Sequence, residues 1–122
     1  WRTCEMIVYA SRTGNVRYIV EKLGLPAIEL SPNLTMSEPF LLFTYTDGIG
    51  SVPQNVQQFM SLNGAFCRGV IVSGNINFGP QNFARAGDII ATQYGVPLVR
   101  KIDLRGTILD YTYVRSFYKQ HF

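Results

Sequence analysis

The sequence predicts an α/β fold, a doubly wound five-stranded parallel sheet with helices on both faces. Short apolar runs alternate along the chain with segments in which apolar residues recur at helical spacing. The short runs are apolar throughout, which is typical of strands that are covered on both sides. The 122 residues contain no internal repeat, linker or low-complexity stretch. We therefore expect one domain spanning residues 1–122.

The first half of the chain predicts three strands and one helix. A first strand is expected at residues 5–10. The helix that follows carries its apolar stripe from Val16 onward and ends at Gly24, a residue that suits a helix C-terminus. A weak second strand at residues 27–30 and a strongly apolar third strand at residues 40–45 come next.

The second half predicts three helices and two strands. The second helix is entered through Pro53, which fits a first helical turn. A fourth strand is expected at residues 69–73, and a third helix has an apolar stripe within residues 83–94. The fifth strand covers residues 98–104, and Asp110 is the predicted cap of a last helix.

A turn rich in hydroxyl groups joins the first strand to the first helix. The amides at a helix N-terminus lack partners and carry positive partial charge, so they favour an anion such as a phosphate. A glycine there lets the backbone curl around the anion without a Cβ in the way. An ordinary capped helix start would use the same residue types. The expected phosphate contacts are Ser11, Arg12, Thr13, Gly14, Asn15 and Val16.

Two more loops follow the third and fourth strands, at the sheet edge where doubly wound folds bind ligands. Each loop holds glycines and one aromatic residue, so together they can enclose a flat ring. A site for a flat ring beside a site for a phosphate indicates flavin mononucleotide (FMN) as the ligand. Each loop alone is more typical of a surface turn, and it is three such loops at one edge that favour a cofactor site. The expected ring contacts are Tyr45, Thr46, Asp47, Gly48, Ile49, Gly50, Ser73, Gly74, Asn75, Asn77, Phe78, Gly79, Asn82 and Phe83.

Other classes of site find little support. There is no G-x-G-x-x-G or Gly-Lys-Ser/Thr loop for a dinucleotide or a nucleoside triphosphate. Cys4, Cys67 and His121 do not have metal-site spacing, and Cys67 is expected in the core. Asp47 and Asp88 are more simply a turn residue and a helix residue than a catalytic pair. The net charge of +3 comes from scattered residues, so nucleic acid is not an expected partner. With no membrane-length apolar run and no signal peptide, we expect a cytoplasmic protein that does not bind membranes.

Several motifs together closely resemble one family. They are S-R-T-G-N at residues 11–15, S-G-N-I-N-F-G at 73–79, F-A-R-A-G-D at 83–88 and L-R-G-T at 104–107. Nearly the whole chain resembles NrdI, the flavodoxin-like accessory proteins of class Ib ribonucleotide reductase. The chain departs from electron-transfer flavodoxins in being short and not acidic. Val16 also stands where many flavodoxins have another threonine.

The resemblance implies a redox role for a flavodoxin-like protein without catalytic side chains or a metal of its own. Members bind FMN, and in the reduced state they react with dioxygen to form an oxidant, taken to be superoxide. The oxidant serves the small subunit NrdF, where it helps assemble a dimanganese-tyrosyl radical cofactor. An electron donor of the flavodoxin reductase type is also implied. Two alternatives stay open, a one-electron-transfer flavodoxin and a flavin-free binding domain of the same fold.

Two further expectations concern tuning and docking. Few acidic residues lie in the three loops, which should make the negatively charged reduced flavin easier to reach than in an acidic flavodoxin. The peptides of Gly48 and Gly50 can turn a carbonyl toward the flavin. The loops at residues 48–51 and 75–82 are expected to face the partner, with Ile49 as an apolar contact and Arg85 as a steering charge.

Overall fold

The computed structural model describes residues 6–47 and 50–121, and its centre is a five-stranded sheet. All neighbouring strands are parallel, and their order is β2-β1-β3-β4-β5. The predicted doubly wound sheet is confirmed. The strands are β1 (Met6–Tyr9), β2 (Ala27–Glu29), β3 (Phe40–Tyr45), β4 (Cys67–Gly74) and β5 (Leu98–Asp103).

Four helices cover the two faces of the sheet. They are α1 (Asn15–Leu23), α2 (Gln54–Asn63), α3 (Arg85–Tyr94) and α4 (Ile108–His121). The apolar stripes of α1 and α4 pack with Ile7, Leu41 and Ile71 on one face. Those of α2 and α3 pack with Leu42 and Val70 on the other. No helix in the described part of the chain is long and apolar enough to cross a membrane.

The connection from β2 to β3 contains no helix in the described residues. It is a loop whose residues Leu34 and Met36 pack against the core on the α2 side of the sheet, and the buried side chain of Asn63 holds it against α2. The Asn63 Oδ1 atom accepts a hydrogen bond from the Met36 amide at 2.7 Å, and Nδ2 donates to the Leu34 carbonyl at 3.1 Å. Nδ2 also donates to the Phe59 carbonyl at 3.0 Å, within α2 itself.

Helix α3 begins later than the sequence predicts, whereas α4 begins with the predicted cap. Helix α3 starts at Arg85 because Ala84 adopts a left-handed conformation (φ 50°), which leaves Phe83 in the preceding turn. Asp110 caps α4 as predicted, and it does so from the third residue of the helix. Its Oδ2 atom accepts hydrogen bonds from the Thr107 amide (2.8 Å) and the Thr107 hydroxyl (3.3 Å). Asp110 thus caps α4 backward from the first turn, as in a capping box.

The topology fixes where a ligand would bind. The chain runs from β1 outward to β2, then crosses back to β3 on the other side of β1. Strand order therefore reverses between β1 and β3, and the crevice beyond their carboxyl ends is the ligand position of such folds. The loop before α1, the loop after β3 and the loop after β4 all begin at this edge.

Candidate functional site

A cavity of about 330 Å³ opens at the carboxyl edge of the sheet. Each of the three predicted loops contributes to its wall. The predicted residues that line it are Ser11, Arg12, Thr13, Asn15, Val16, Tyr45, Thr46, Ser73, Gly74, Asn75, Phe78 and Asn82. Ala84 and Leu104 also line it and were not predicted. Leu104 follows β5, so it would have been found if the carboxyl end of β5 had been considered together with those of β1, β3 and β4.

The start of α1, which lines the cavity, has backbone amides without a hydrogen-bond partner among the described residues. Gly14 has φ 95°, a left-handed conformation that suits glycine, and it carries no side-chain cap. The first helical hydrogen bond runs from the Tyr18 amide to the Gly14 carbonyl at 2.9 Å. The amides of Asn15 and Val16 therefore have no partner within the helix. Ser11 Oγ accepts from the Arg17 amide at 3.3 Å, so this side chain fixes the turn. Its own hydroxyl hydrogen has no acceptor in the part of the chain that the structure describes.

The loop after β3 is closed by a short backbone bridge. The amides and carbonyls of Asp47 and Ser51 bond to each other, both at 2.8 Å, and Gly50 within the turn has φ 86°. Asp47 also forms an ion pair with Arg12, Oδ1 to Nη1 at 3.2 Å. The expected turn role of Asp47 agrees with this geometry. Gly48 and Ile49, both predicted contacts, lie outside the described residues.

Tyr45 forms the aromatic wall at the end of β3. It is half-buried, and the Arg12 guanidinium lies 5.4 Å from the centre of its ring. Burial raises the pKa of the Tyr45 hydroxyl, as does the nearby Asp47 carboxylate, whereas Arg12 acts in the opposite direction. Arg12 thus connects the loop before α1 to the Tyr45 side chain, and both residues line the cavity.

Thr46 holds an unusual polar atom. Its amide donates to the Ser73 carbonyl at 3.1 Å, but its hydroxyl is buried without a hydrogen-bond partner among the described residues. An unsatisfied buried hydroxyl is costly, so such a group inside a cavity wall is suited to a ligand atom. Such a hydroxyl is a donor of the kind that the polar edge of a ring system would need.

The loop after β4 packs tightly at its base. A Cβ on Gly74 would lie 2.7 Å from the Ala84 amide nitrogen, so only glycine allows this approach. Ser73 Oγ donates to the Leu104 carbonyl at 2.7 Å, and the Leu104 amide donates to the Gly74 carbonyl at 2.7 Å. These contacts fix the ends of β4 and β5 together. Further out, Phe78 is 53% exposed at the cavity mouth.

Several predicted residues shape the loops without lining the cavity. Asn77 donates its amide to Asn75 Oδ1 at 2.9 Å, which closes the turn that carries Phe78. Gly79 has φ 95°, and its carbonyl accepts from the Phe83 amide at 2.9 Å. The predicted residues in this group are Gly14, Asp47, Gly50, Asn77, Gly79 and Phe83.

The remaining candidate groups lie away from this cavity. Cys67 is buried at the start of β4, as predicted, and burial raises the pKa of its thiol. Asp88 pairs with Lys101 at 2.6 Å on the surface. Within residues 6–47 and 50–121, no group of three potential metal ligands occurs.

The fold and the site together define a class. A five-stranded doubly wound sheet with open amides at the start of α1 and a cavity between the loops after β3 and β4 is the arrangement of a flavodoxin-like protein. The family model described as NrdI flavodoxin-like matches residues 7–116. The chain belongs to this family.

Two known proteins illustrate the relationship. Protein NrdI of Deinococcus radiodurans is 41% identical over 116 residues, which cover 91% of this chain and 80% of that protein. A solved short-chain flavodoxin, associated with a non-canonical PDU bacterial microcompartment, superimposes with a TM-score of 0.66. It is 20% identical, with 93% of both chains covered, and this likeness concerns the fold.

Proposed function

We propose that this protein binds FMN and, when reduced, reacts with dioxygen to supply an oxidant, superoxide, to the small subunit NrdF of a class Ib ribonucleotide reductase. There the oxidant would serve assembly of the dimanganese-tyrosyl radical cofactor. The observation that carries the proposal is the cavity at the carboxyl edge in a chain of the NrdI family. Its wall holds open amides and a buried Thr46 hydroxyl that lacks a partner among the described residues.

The residues divide the work of binding between the two ends of FMN. The phosphate would accept hydrogen bonds from the amides of Asn15 and Val16 and from the hydroxyls of Ser11 and Thr13. The ring would lie between the loops that carry Tyr45 and Phe78, with the Thr46 hydroxyl at its edge. Bound FMN would supply the electron transfer to dioxygen, and the chain would supply binding, orientation and access.

The electrostatics of the cavity suit a flavin that gains negative charge. None of its lining residues is acidic, and Arg12 is basic. The nearest carboxylates are engaged: Asp47 pairs with Arg12 at 3.2 Å, and Asp103 accepts from the Ile76 amide at 3.0 Å. A reduced, anionic flavin is therefore not repelled here as it would be by the loops of an acidic flavodoxin.

The cavity mouth suits a partner surface that is partly apolar. Ile76 and Phe78 are 54% and 53% exposed, and Leu104 is exposed beside them. Arg85 flanks the loop after β3, because a Cβ on Gly50 would lie only 3.0 Å from the Arg85 Cδ atom. We expect this rim to meet the metal subunit, with Arg85 adding salt-sensitive attraction to an acidic partner.

FMN binding is tested by purification and titration. The wild-type protein is expected to be yellow, with one FMN per chain. Gly14→Val forces a β-branched residue into a left-handed conformation, and Thr13→Ala with Asn15→Ala removes polar side chains beside the phosphate. Both should weaken FMN binding at least about tenfold while circular dichroism stays unchanged. Unchanged flavin content in both variants would reject this site.

The activating role is tested with the cognate small subunit. Reduced protein, dioxygen and NrdF loaded with manganese(II) are mixed, and tyrosyl radical is followed by electron paramagnetic resonance. Arg85→Glu should lower the radical yield several-fold at low salt without loss of FMN. The matched control is Arg68→Glu, since Arg68 lies at the opposite edge of the sheet, at the start of β4.

The outcomes separate the alternatives. If wild-type protein binds FMN and yields no radical, the activating role fails and a one-electron-transfer flavodoxin remains. In that case a flavodoxin reductase-type donor should still reduce the protein. If the protein binds no FMN, the flavin-free binding domain remains.

A further inference from the structure

The side chain of Arg105 places a further positive charge beside the start of α1. Arg105 follows β5, and its Nε atom donates to the Asn15 side-chain oxygen at 3.3 Å. Asn15 is the first residue of α1. A side chain 90 residues away in sequence is thus attached to the helix end where the FMN phosphate is proposed to bind.

The Arg105 side chain has a defined position although it is exposed. Its guanidinium lies 4.6 Å from the centre of the Tyr18 ring, one turn further along α1. The loop beneath it is fixed because the Tyr111 hydroxyl donates to the Arg105 carbonyl at 2.6 Å. The two terminal amino groups of the guanidinium have no hydrogen-bond partner among residues 6–47 and 50–121, so their donors remain available.

The charge of Arg105 is also not neutralised locally. The other two arginines near this helix end are paired, Arg12 with Asp47 at 3.2 Å and Arg17 with Glu29 at 3.0 Å. Arg105 forms no ion pair in the described chain. Asp103 and Asp110 line a surface depression together with Arg105. Asp103 accepts a hydrogen bond from the Ile76 amide at 3.0 Å, and Asp110 forms an ion pair with Arg100 at 2.6 Å.

We propose that Arg105 is a charged contact for the phosphate of FMN and makes the site prefer FMN over riboflavin. The inference rests on the proposed function, namely that the chain binds FMN. A guanidinium presents donors in a fork that matches phosphate oxygens, and Tyr18 and Asn15 hold this fork beside the open amides of α1. Riboflavin shares the ring and lacks the phosphate, so Arg105 contributes to binding of only one of the two.

The test is a fluorescence titration of the flavin-free protein with FMN and with riboflavin. Arg105→Met keeps most of the side-chain stem and removes the charge. We expect its dissociation constant for FMN to rise about fivefold to tenfold, and that for riboflavin to change less than about twofold. Arg105→Lys should recover part of the loss. Arg68→Met, with the same change in net charge at the far edge of the sheet, should leave both constants unchanged.

A second measurement is the salt dependence of the two dissociation constants, in the wild-type protein and in Arg105→Met. The preference for FMN over riboflavin should fall as salt rises, and it should fall less in Arg105→Met. If Arg105→Met weakens the binding of FMN and riboflavin equally, or changes neither, the inference about Arg105 is overturned and the proposed function stands. If wild-type protein binds neither flavin, both the inference and the proposed function fail. The thermal unfolding midpoint of each variant checks that the comparison concerns folded protein.

Discussion

At the scale of single residues, Thr46 stands out because the described part of the protein supplies no hydrogen-bond partner for its buried hydroxyl. Its neighbour Thr44 is fully buried, and the Thr44 hydroxyl donates to the Tyr45 carbonyl at 3.0 Å. The Thr46 hydroxyl is buried with no partner in the part of the chain that the structure describes. These two threonines, two positions apart in sequence, form a natural pair for comparison.

Thr46→Val is expected to have opposite effects without and with FMN. Without the cofactor, it removes an unsatisfied buried hydroxyl, so stability should be unchanged or rise by up to about 1 kcal/mol. With the cofactor, the lost hydrogen bond should weaken FMN binding about fivefold. Thermal unfolding with and without FMN measures both effects.

Thr44→Val supplies the control for that experiment. It removes a hydroxyl that has a partner, so the flavin-free protein should lose about 1 kcal/mol while FMN affinity stays the same. Thr46→Val that lowers stability without changing FMN affinity would show that the hydroxyl serves the fold.

At the scale of elements, the start of α4 depends on one carboxylate with several partners. Asp110 accepts from Thr107 twice and pairs with Arg100 Nε at 2.6 Å, and its side chain is only 14% exposed. Asp88 on α3 also forms a 2.6 Å ion pair, with Lys101, but its side chain is 51% exposed. Similar distances therefore occur in very different surroundings.

Asp110→Ala should cost roughly 2 kcal/mol in the free energy of unfolding, because it removes a cap and leaves Arg100 without its partner. Asp88→Ala should cost less than about 1 kcal/mol, since exposed ion pairs contribute little. Chemical denaturation of both variants measures the difference. Equal losses would mean that burial and capping do not distinguish the two carboxylates.

The elements also show how far sequence reasoning reached. The strands, the end of α1 and the start of α2 follow from local signals, namely the apolar run at Phe40–Tyr45, the glycine at position 24 and the proline at position 53. The start of α3 was wrong because the left-handed conformation of Ala84 has no signal in its residue type. The capping role of Asp110 was predicted correctly, and the structure adds Thr107 as the residue whose amide and hydroxyl donate to it.

Long-range contacts account for what was missed in the fold and near the site. Asn63 bonds to residues 27 and 29 positions earlier, and Arg105 bonds to Asn15 across 90 positions. No periodicity or local motif predicts such pairs. The three cavity loops were predictable because parallel topology brings their strand ends to one edge, whereas Ala84 and Leu104 enter the wall through the contacts at Gly74.

At the scale of the whole molecule, the buried thiol of Cys67 predicts a pH dependence. Burial raises its pKa above the ordinary 9.0, so the folded protein keeps this proton to higher pH than the unfolded chain does. Below pH 9 both states are protonated and the group has no effect. Above it, the unfolded chain releases the proton first, and stability falls as pH rises.

Cys67→Ala should remove that part of the alkaline loss. The stability gap between wild-type protein and the variant should narrow above pH 9, by at most about 1.4 kcal/mol per pH unit. Denaturation series at several pH values measure the gap, and Cys4, unchanged in both proteins, cancels. A constant gap would show that the thiol ionises equally in the folded and unfolded states.

The division of the core into two layers has a consequence for the lifetime of the protein. The layer under α1 and α4 supports the phosphate side of the cavity, whereas the layer under α2 and α3 supports much of the ring side. FMN bound as proposed would touch residues anchored in both, so the opening of either layer would release the ligand and become more costly. Proteolysis acts on opened states, so a chain lacking its cofactor should be degraded faster. The flavin supply of the cell would thus set how long the protein persists as well as whether it works.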